Sequence, residues 1–175
     1  TGLVGSEMCI RDRDDAEADI RERIKDSVKS MRYAQGTGYF WINDNAEPYT
    51  RMVMHPTIPE LDGTVLDDRK YNNALGRSEN LFNAFVDVTK DGQNKGYVDY
   101  LWPKPTEDGL TEPTEKVSYV RLHKPLGWII GSGVYIDTID EKVAQKRSEI
   151  DAQVNSLVIQ SVSLALLFIA IAIAV

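Results

Sequence analysis

The sequence predicts an α+β domain: a long N-terminal helix, an antiparallel sheet of about five strands, and a C-terminal helix that runs into a membrane-spanning helix. Three observations predict it. Residues Asp14 to Gln35 carry an amphipathic stripe, the middle of the chain holds five extended runs separated by turn-forming residues, and no charged side chain occurs from Ala152 to Val175. At 175 residues the chain has room for one core of ordinary size rather than a two-domain enzyme.

The stripe is Ile20, Ile24, Val28 and Met31, spaced by four, four and three with charges between them, which is one face of a helix. Gly36 and Gly38 end it. The run GYFWI and then YTRMVMHP read as two strands joined by the turn-forming NDNAEP, and Pro56 stops the second. Between Pro56 and Asn80 the Asp, Gly, Pro and Asn content predicts an irregular excursion over one face of the sheet. From Ser78, a capping residue is followed by Leu81, Phe82, Phe85, Val86 and Val88, a short helix ended at Gly92.

The runs GYVDYLW, KVSYVRLH and GWIIGSGVYI then predict a meander, its first two strands separated by a Pro/Gly/Glu loop and its last two by Lys124-Pro125-Leu126-Gly127. Ile139, Val143, Ile150, Val154 and Leu157 line one face of a helix that takes in a connector over residues 141–155 and continues toward the C-terminus. From Ser156 to Val175 the sequence is apolar for about the twenty residues a bilayer core requires, and is expected to be a truncated transmembrane helix. The domain plan is therefore one domain over 14–140 with its helix at 14–35, a connector over 141–155, and a membrane segment over 156–175.

Residues 1–13, TGLVGSEMCIRDR, share no periodicity with the helical stripe that begins after them and resemble a translated sequencing-adapter remnant, so they are expected to be non-native. Cys9, the only cysteine, falls among them, which leaves no disulfide framework or thiolate metal site. The net charge of −7 and the absence of a basic cluster argue against nucleic acid as a partner, although one cation inside a pocket would be invisible to net charge.

Several chemical motifs fail. Gly36-Thr37-Gly38 and Gly131-Ser132-Gly133 lack the strand-glycine-helix context of a phosphate loop; the second pair is better read as letting a neighbouring helix or a ligand approach a strand backbone closely. Asp87, Thr89, Asp91 and Gly92 open like a calcium loop, but Val98 stands where the bidentate Glu must fall. His55 and His123 have no partner at metal spacing, and no nucleophile, base and orienting acid can be assembled. No cofactor, metal or enzymatic activity is expected.

What remains is a concentration of aromatic and cationic side chains in the extended runs, among them Tyr39, Trp41, His55, Tyr100, Trp102, Lys116, Tyr119 and Tyr135. Rings with hydrogen-bonding tips plus a cation suit a small concave site for a short organic acid. The segments Gly38–Asp44, Met52–Pro56, Tyr100–Pro105, Lys116–Val120 and Gly127–Tyr135, taken in order, resemble the single Cache domain of bacterial methyl-accepting chemotaxis receptors.

That resemblance implies a PAS-like sheet and a site for a small carboxylate of the acetate, propionate, pyruvate or lactate class. It implies Lys116 as countercharge, Tyr100, Tyr119 and His55 as hydrogen-bonding groups, and Trp41 and Trp102 as walls. It further implies a bacterial inner membrane location with the sensor periplasmic or extracellular, and a homodimer paired through the N-terminal helix and membrane segments. Strand alternation puts Lys116 and Ser118 on the opposite face from Tyr119, so Lys116 and Tyr119 share a pocket only across a bulge or at a strand end. An output through a histidine kinase or diguanylate cyclase, and a membrane-anchored structural domain without ligand, are the alternatives.

Overall fold

A computed structural model describes residues 3–74 and 79–174. The chain divides into two compact units, Thr1–Tyr135 and Ile136–Val175. In the first, helix α1 (Leu3–Ser30) is followed by strands β1 (Arg32–Tyr33), β2 (Gly38–Asp44) and β3 (Met52–Met54), helix α2 (Leu81–Asp87), and strands β4 (Lys95–Thr106), β5 (Gly109–His123) and β6 (Trp128–Tyr135). The second unit is a single helix, α3 (Ile136–Ala174).

Helix α1 is unbroken across residues 13 and 14, and it stops at Ser30 rather than Gln35. The reason lies in its last carbonyls: Ser30 Oγ donates to Ser27 O, and the Arg32 guanidinium donates to the carbonyls of Lys29 and Met31. With those acceptors satisfied the chain leaves the helix. Ala34, Gln35 and Gly36 take φ of 48°, 57° and 93°, a left-handed turn that redirects it into β2. Ile24 and Val28 are the part of the stripe that packs inward, against Ile42, Met54 and Trp128, while Ile20 and Met31 stay exposed.

The sheet is antiparallel throughout, ordered β1-β2-β6-β5-β4 with β3 paired to β2. It has six strands, one more than expected, because the two-residue β1 joins its edge. β4 and β5 form one long hairpin whose pairing runs from Lys95↔Arg121 to Thr106↔Gly109. The Pro-containing stretch expected as a loop is thus strand. β4 is an edge strand, and Pro113 of β5 lies beyond Lys116↔Tyr135, where pairing with β6 ends, so those prolines forfeit no bond to a third strand.

Alternation sorts the side chains. Tyr39, Trp41, Val98, Tyr100, Trp102, Val120 and Ile129 point to an inner face, where they pack with α2 and the 56–74 excursion; Ile42 and Trp128 point to the outer face beside α1. The excursion carries two short 3₁₀ turns, Pro59–Leu61 and Arg69–Tyr71, and is tied to the sheet by the bridge Ala74↔Tyr100. The expected cap Ser78 lies outside the described residues. Asn80 caps α2 instead: its Oδ1 accepts from Phe82 N at 2.9 Å, and its Nδ2 donates to Leu66 O at 2.7 Å. One side chain thereby starts the helix and pins the excursion.

The connector and membrane segments form one continuous helix, α3, of 39 residues, as expected. By length and composition it is able to cross a membrane.

Candidate functional site

Three strands contribute one row across the inner face: Tyr100 of β4 is opposite Lys116 of β5, which is opposite Tyr135 of β6. The next row holds Val98, Ser118 and Gly133. Lys116 is therefore carried to the middle of the sheet, where 1% of its surface is exposed. Its Nζ lies 3.9 Å from the Tyr39 ring centroid, 4.8 Å from Tyr135 and 5.3 Å from Trp41, with no hydrogen-bond partner among the described residues. Ring faces stabilise a cation but do not replace its hydration. Burial accordingly lowers the Lys116 pKa to about 7.

Beside this cation lies a space of about 10 Å³, lined by Tyr39, Trp41, His55, Phe85, Tyr100 and Trp102 with Leu81 and Phe82. It has room for about one water. Lys116 does not itself line it but packs against Tyr39 and Trp41, which do. Among the described residues, no carboxylate lines it.

The polar atoms around this space are mainly donors. His55 is buried, and burial followed by the charge of Lys116 lowers its pKa to about 3, so it is neutral near pH 7. Its Nδ1 accepts from Ile58 N–H at 3.1 Å, which assigns the ring proton to Nε2. Trp102 Nε1 comes near the Tyr39 hydroxyl yet is buried without a hydrogen bond of normal geometry. Burial raises Tyr39 to about 12, against a smaller lowering by its contact with Tyr135, whose hydroxyl is 3.5 Å away. Tyr135 donates to Pro103 O at 2.7 Å, Tyr100 shares a 2.8 Å bond with Ser118, and Trp41 Nε1 donates to Asn43 Oδ1 at 3.2 Å. The groups left unmatched, Lys116 Nζ and Trp102 Nε1, are both donors, so the complementary guest is an acceptor with negative charge.

Two glycines make the arrangement possible. A Cβ at Gly131 would strike the Trp41 indole, and one at Gly133 would strike Ser118 and the Val117 carbonyl. The close approach expected at Gly131-Ser132-Gly133 exists, but it is made by the Trp41 indole and the neighbouring strand β5 rather than by a helix or a ligand.

Of the six residues expected at the site, the structure gathers Trp41, His55, Tyr100, Trp102 and Lys116 on the inner face. Tyr119 is on the other side of the sheet, where its ring lies 5.2 Å from Tyr97 and borders an outer depression with Phe40, Arg121 and Ile130. Pairing in this part of β5 is regular, so no bulge turns Tyr119 inward. Tyr39 and Tyr135 take the place expected for it. Alternation carries a signal for Tyr39, two residues before Trp41; Tyr135 becomes identifiable only through its register with Lys116.

A buried cation among aromatic walls on one face of an antiparallel sheet suits the binding of a small anion. Residues 10–161 match the sequence model of the Cache domain family, and the chain belongs to that family. It is 40% identical over 119 residues to methyl-accepting chemotaxis protein McpP of Pseudomonas putida, an alignment covering 68% of this chain and 20% of that protein. The chain therefore spans about a fifth of the length of that curated relative. One similar solved structure, described as "Structural basis for carboxylic acid recognition by a Cache chemosensory domain", has 40% identity and a TM-score of 0.55, covering 66% of this chain and 71% of the other. A second, a periplasmic sensor domain of a chemotaxis protein, has 38% identity and a TM-score of 0.55, covering 77% and 86%.

Proposed function

We propose that this chain is the ligand-sensing part of a membrane-anchored chemotaxis receptor and that its inner face binds a short monocarboxylate, of the acetate, propionate, pyruvate or lactate class. The observation that carries the reading is Lys116: a buried amine held among rings, with no hydrogen-bond partner among the described residues. A bound carboxylate supplies that partner. Lys116 is the countercharge, Trp102 Nε1 and His55 Nε2 are the supporting donors, and Trp41, Tyr100 and Tyr39 form the walls. Among the described residues a second carboxylate would find no cation besides Lys116 around this space, and an α-ammonium no anion, which favours monocarboxylates over diacids and amino acids. The recognition of carboxylic acids by the similar Cache structure supports the same class.

Acetate, with four heavy atoms, is limited to roughly −6 kcal/mol and pyruvate to roughly −9, so affinities from tens of micromolar down to below one micromolar bound the expectation. Signal passes only if the ligand binds two states differently. In this reading α3 crosses the membrane and carries the change, with the sensor outside the cytoplasm and two chains paired through α1 and the membrane segments.

Calorimetric titration of the whole chain in lipid nanodiscs with acetate, propionate, pyruvate and lactate tests the reading. Saturable binding of one of them, lost in Lys116→Met, supports it. The size of the cavity favours the other reading, a structural anchor domain whose core fills its own pocket. Absence of binding by any short acid would decide for that alternative.

A further inference from the structure

Trp102 lies between two spaces. On one side is the 10 Å³ cavity beside Lys116; on the other is a 290 Å³ pocket, largely apolar, between β4 and the excursion, lined by Ile58, Leu61, Tyr71, Pro103 and Pro113 among others. Among the described residues, Trp102 is the one side chain that lines both. On its inner side the indole is held by rings: Phe82 at 5.9 Å and 89°, His55 at 5.5 Å, Tyr100 at 6.3 Å. On its outer side it faces the empty pocket, and its Nε1 has no hydrogen bond to hold it.

An acid larger than one water must make room. The opposite wall is β-ladder and close-packed aromatic core, where displacement costs contacts on every side. The excursion side already has empty space, and its backbone there is two short 3₁₀ turns rather than sheet. The wall that yields at least cost is Trp102.

We infer that Trp102 is the partition that sets ligand chain length: the carboxylate sits at Lys116, the alkyl tail is directed at the Trp102 indole, and the pocket behind it is the space a longer tail occupies once the indole is removed. The inference rests on the carboxylate reading of the inner face. It identifies the source of selectivity as one side chain rather than the cavity as a whole. It also gives the pocket at Ile58 and Leu61 a role as a latent subsite for straight-chain acids of about four to six carbons.

The test is titration of the whole chain in nanodiscs with propionate and hexanoate at one pH, comparing wild type, Trp102→His and Trp102→His/Leu61→Trp. Trp102→His removes the benzo ring and keeps an N–H donor, so the loss of a polar contact is not confused with the loss of a wall. Wild type is expected to favour propionate. In Trp102→His, each methylene reaching the apolar pocket adds about fourfold, so the hexanoate-to-propionate affinity ratio should rise at least about tenfold. Refilling the pocket with Leu61→Trp should return the ratio to the wild-type value. An unchanged ratio in Trp102→His, or a gain that survives Leu61→Trp, overturns the partition while leaving the binding site standing. Failure of all three proteins to bind either acid overturns the site reading and the partition with it. Should Trp102→His not fold, as judged by its melting transition, Trp102→Phe removes less of the wall, and a smaller rise in the same ratio is expected; no rise overturns the inference.

Discussion

The two faces of the sheet are built from the same strands and similar residues, yet differ in what surrounds each ring. On the inner face, Tyr39, Trp41, Tyr100 and Trp102 are at most 6% exposed and enclose a cation. On the outer face, the rings of Tyr97 and Tyr119 meet at 5.2 Å, tilted by 56°, with Tyr97 69% exposed. The inner rings are covered by α2 and the excursion, whereas on the outer face Ile24 and Val28 of α1 join the small cluster of Ile42, Met54 and Trp128. Aromatic content alone does not make a site; rings become one where a second layer removes water and leaves donors unmatched.

The largest effect that would sharpen this contrast is at Lys116. Lys116→Met should weaken carboxylate binding at least about a hundredfold while leaving the fold intact or more stable, because a desolvated ammonium is replaced by an apolar chain of similar length. Tyr119→Phe should change affinity less than about twofold in the same calorimetric titration. Equal losses from both would abolish the distinction between the faces.

Next in size is the response to pH. The folded-state pKa of Lys116, about 7, lies below the ordinary lysine value of 10.5, so between those limits the unfolded chain binds more protons than the folded one. Stability from this group should therefore rise with pH from about 7 to 10.5, and the rise should vanish in Lys116→Met when denaturation is followed across that range. Anion affinity runs the other way. As the free amine loses its proton above pH 7, binding should weaken by up to about tenfold per pH unit. Among the titratable groups facing Lys116, His55 at about 3, Tyr39 at about 12 and Tyr100, raised well above 10, stay neutral from about pH 6 to 9 and do not mask the trend.

Gly133→Ala should cost about 1–3 kcal/mol by urea denaturation, since its Cβ meets the Val117 backbone, which cannot move without breaking the β5–β6 ladder. Asn80→Ala should cost about 1–2 kcal/mol through loss of the α2 cap and of the tie to Leu66. Smallest is Tyr97→Ala on the exposed face, at about 0.5–1 kcal/mol for the ring pair. A larger loss there would show that the outer rings are covered by a partner.

Much of this was legible along the chain. The stripe Ile20, Ile24, Val28 and Met31 identifies α1, and alternation alone puts Tyr100 with Trp102 and separates Lys116 from Tyr119. The end of α1 was not legible, because it depends on Arg32 folding back onto carbonyls. Nor was the strand character of the Pro-containing hairpin, since a proline reads as a break until it is known to lie at an edge or beyond the last pairing.

The sequence by itself determined the α+β class, the strands that carry the site, and the apolar segment at the end of α3, because these follow from local periodicity and length. Only the tertiary structure decided that Lys116 is caged by Tyr39 and Tyr135, that Tyr119 faces away, and that Trp102 separates two spaces. Those facts depend on register across the strands of the sheet and on which loop covers which face. Such relations join residues up to about a hundred positions apart, and no local pattern encodes them.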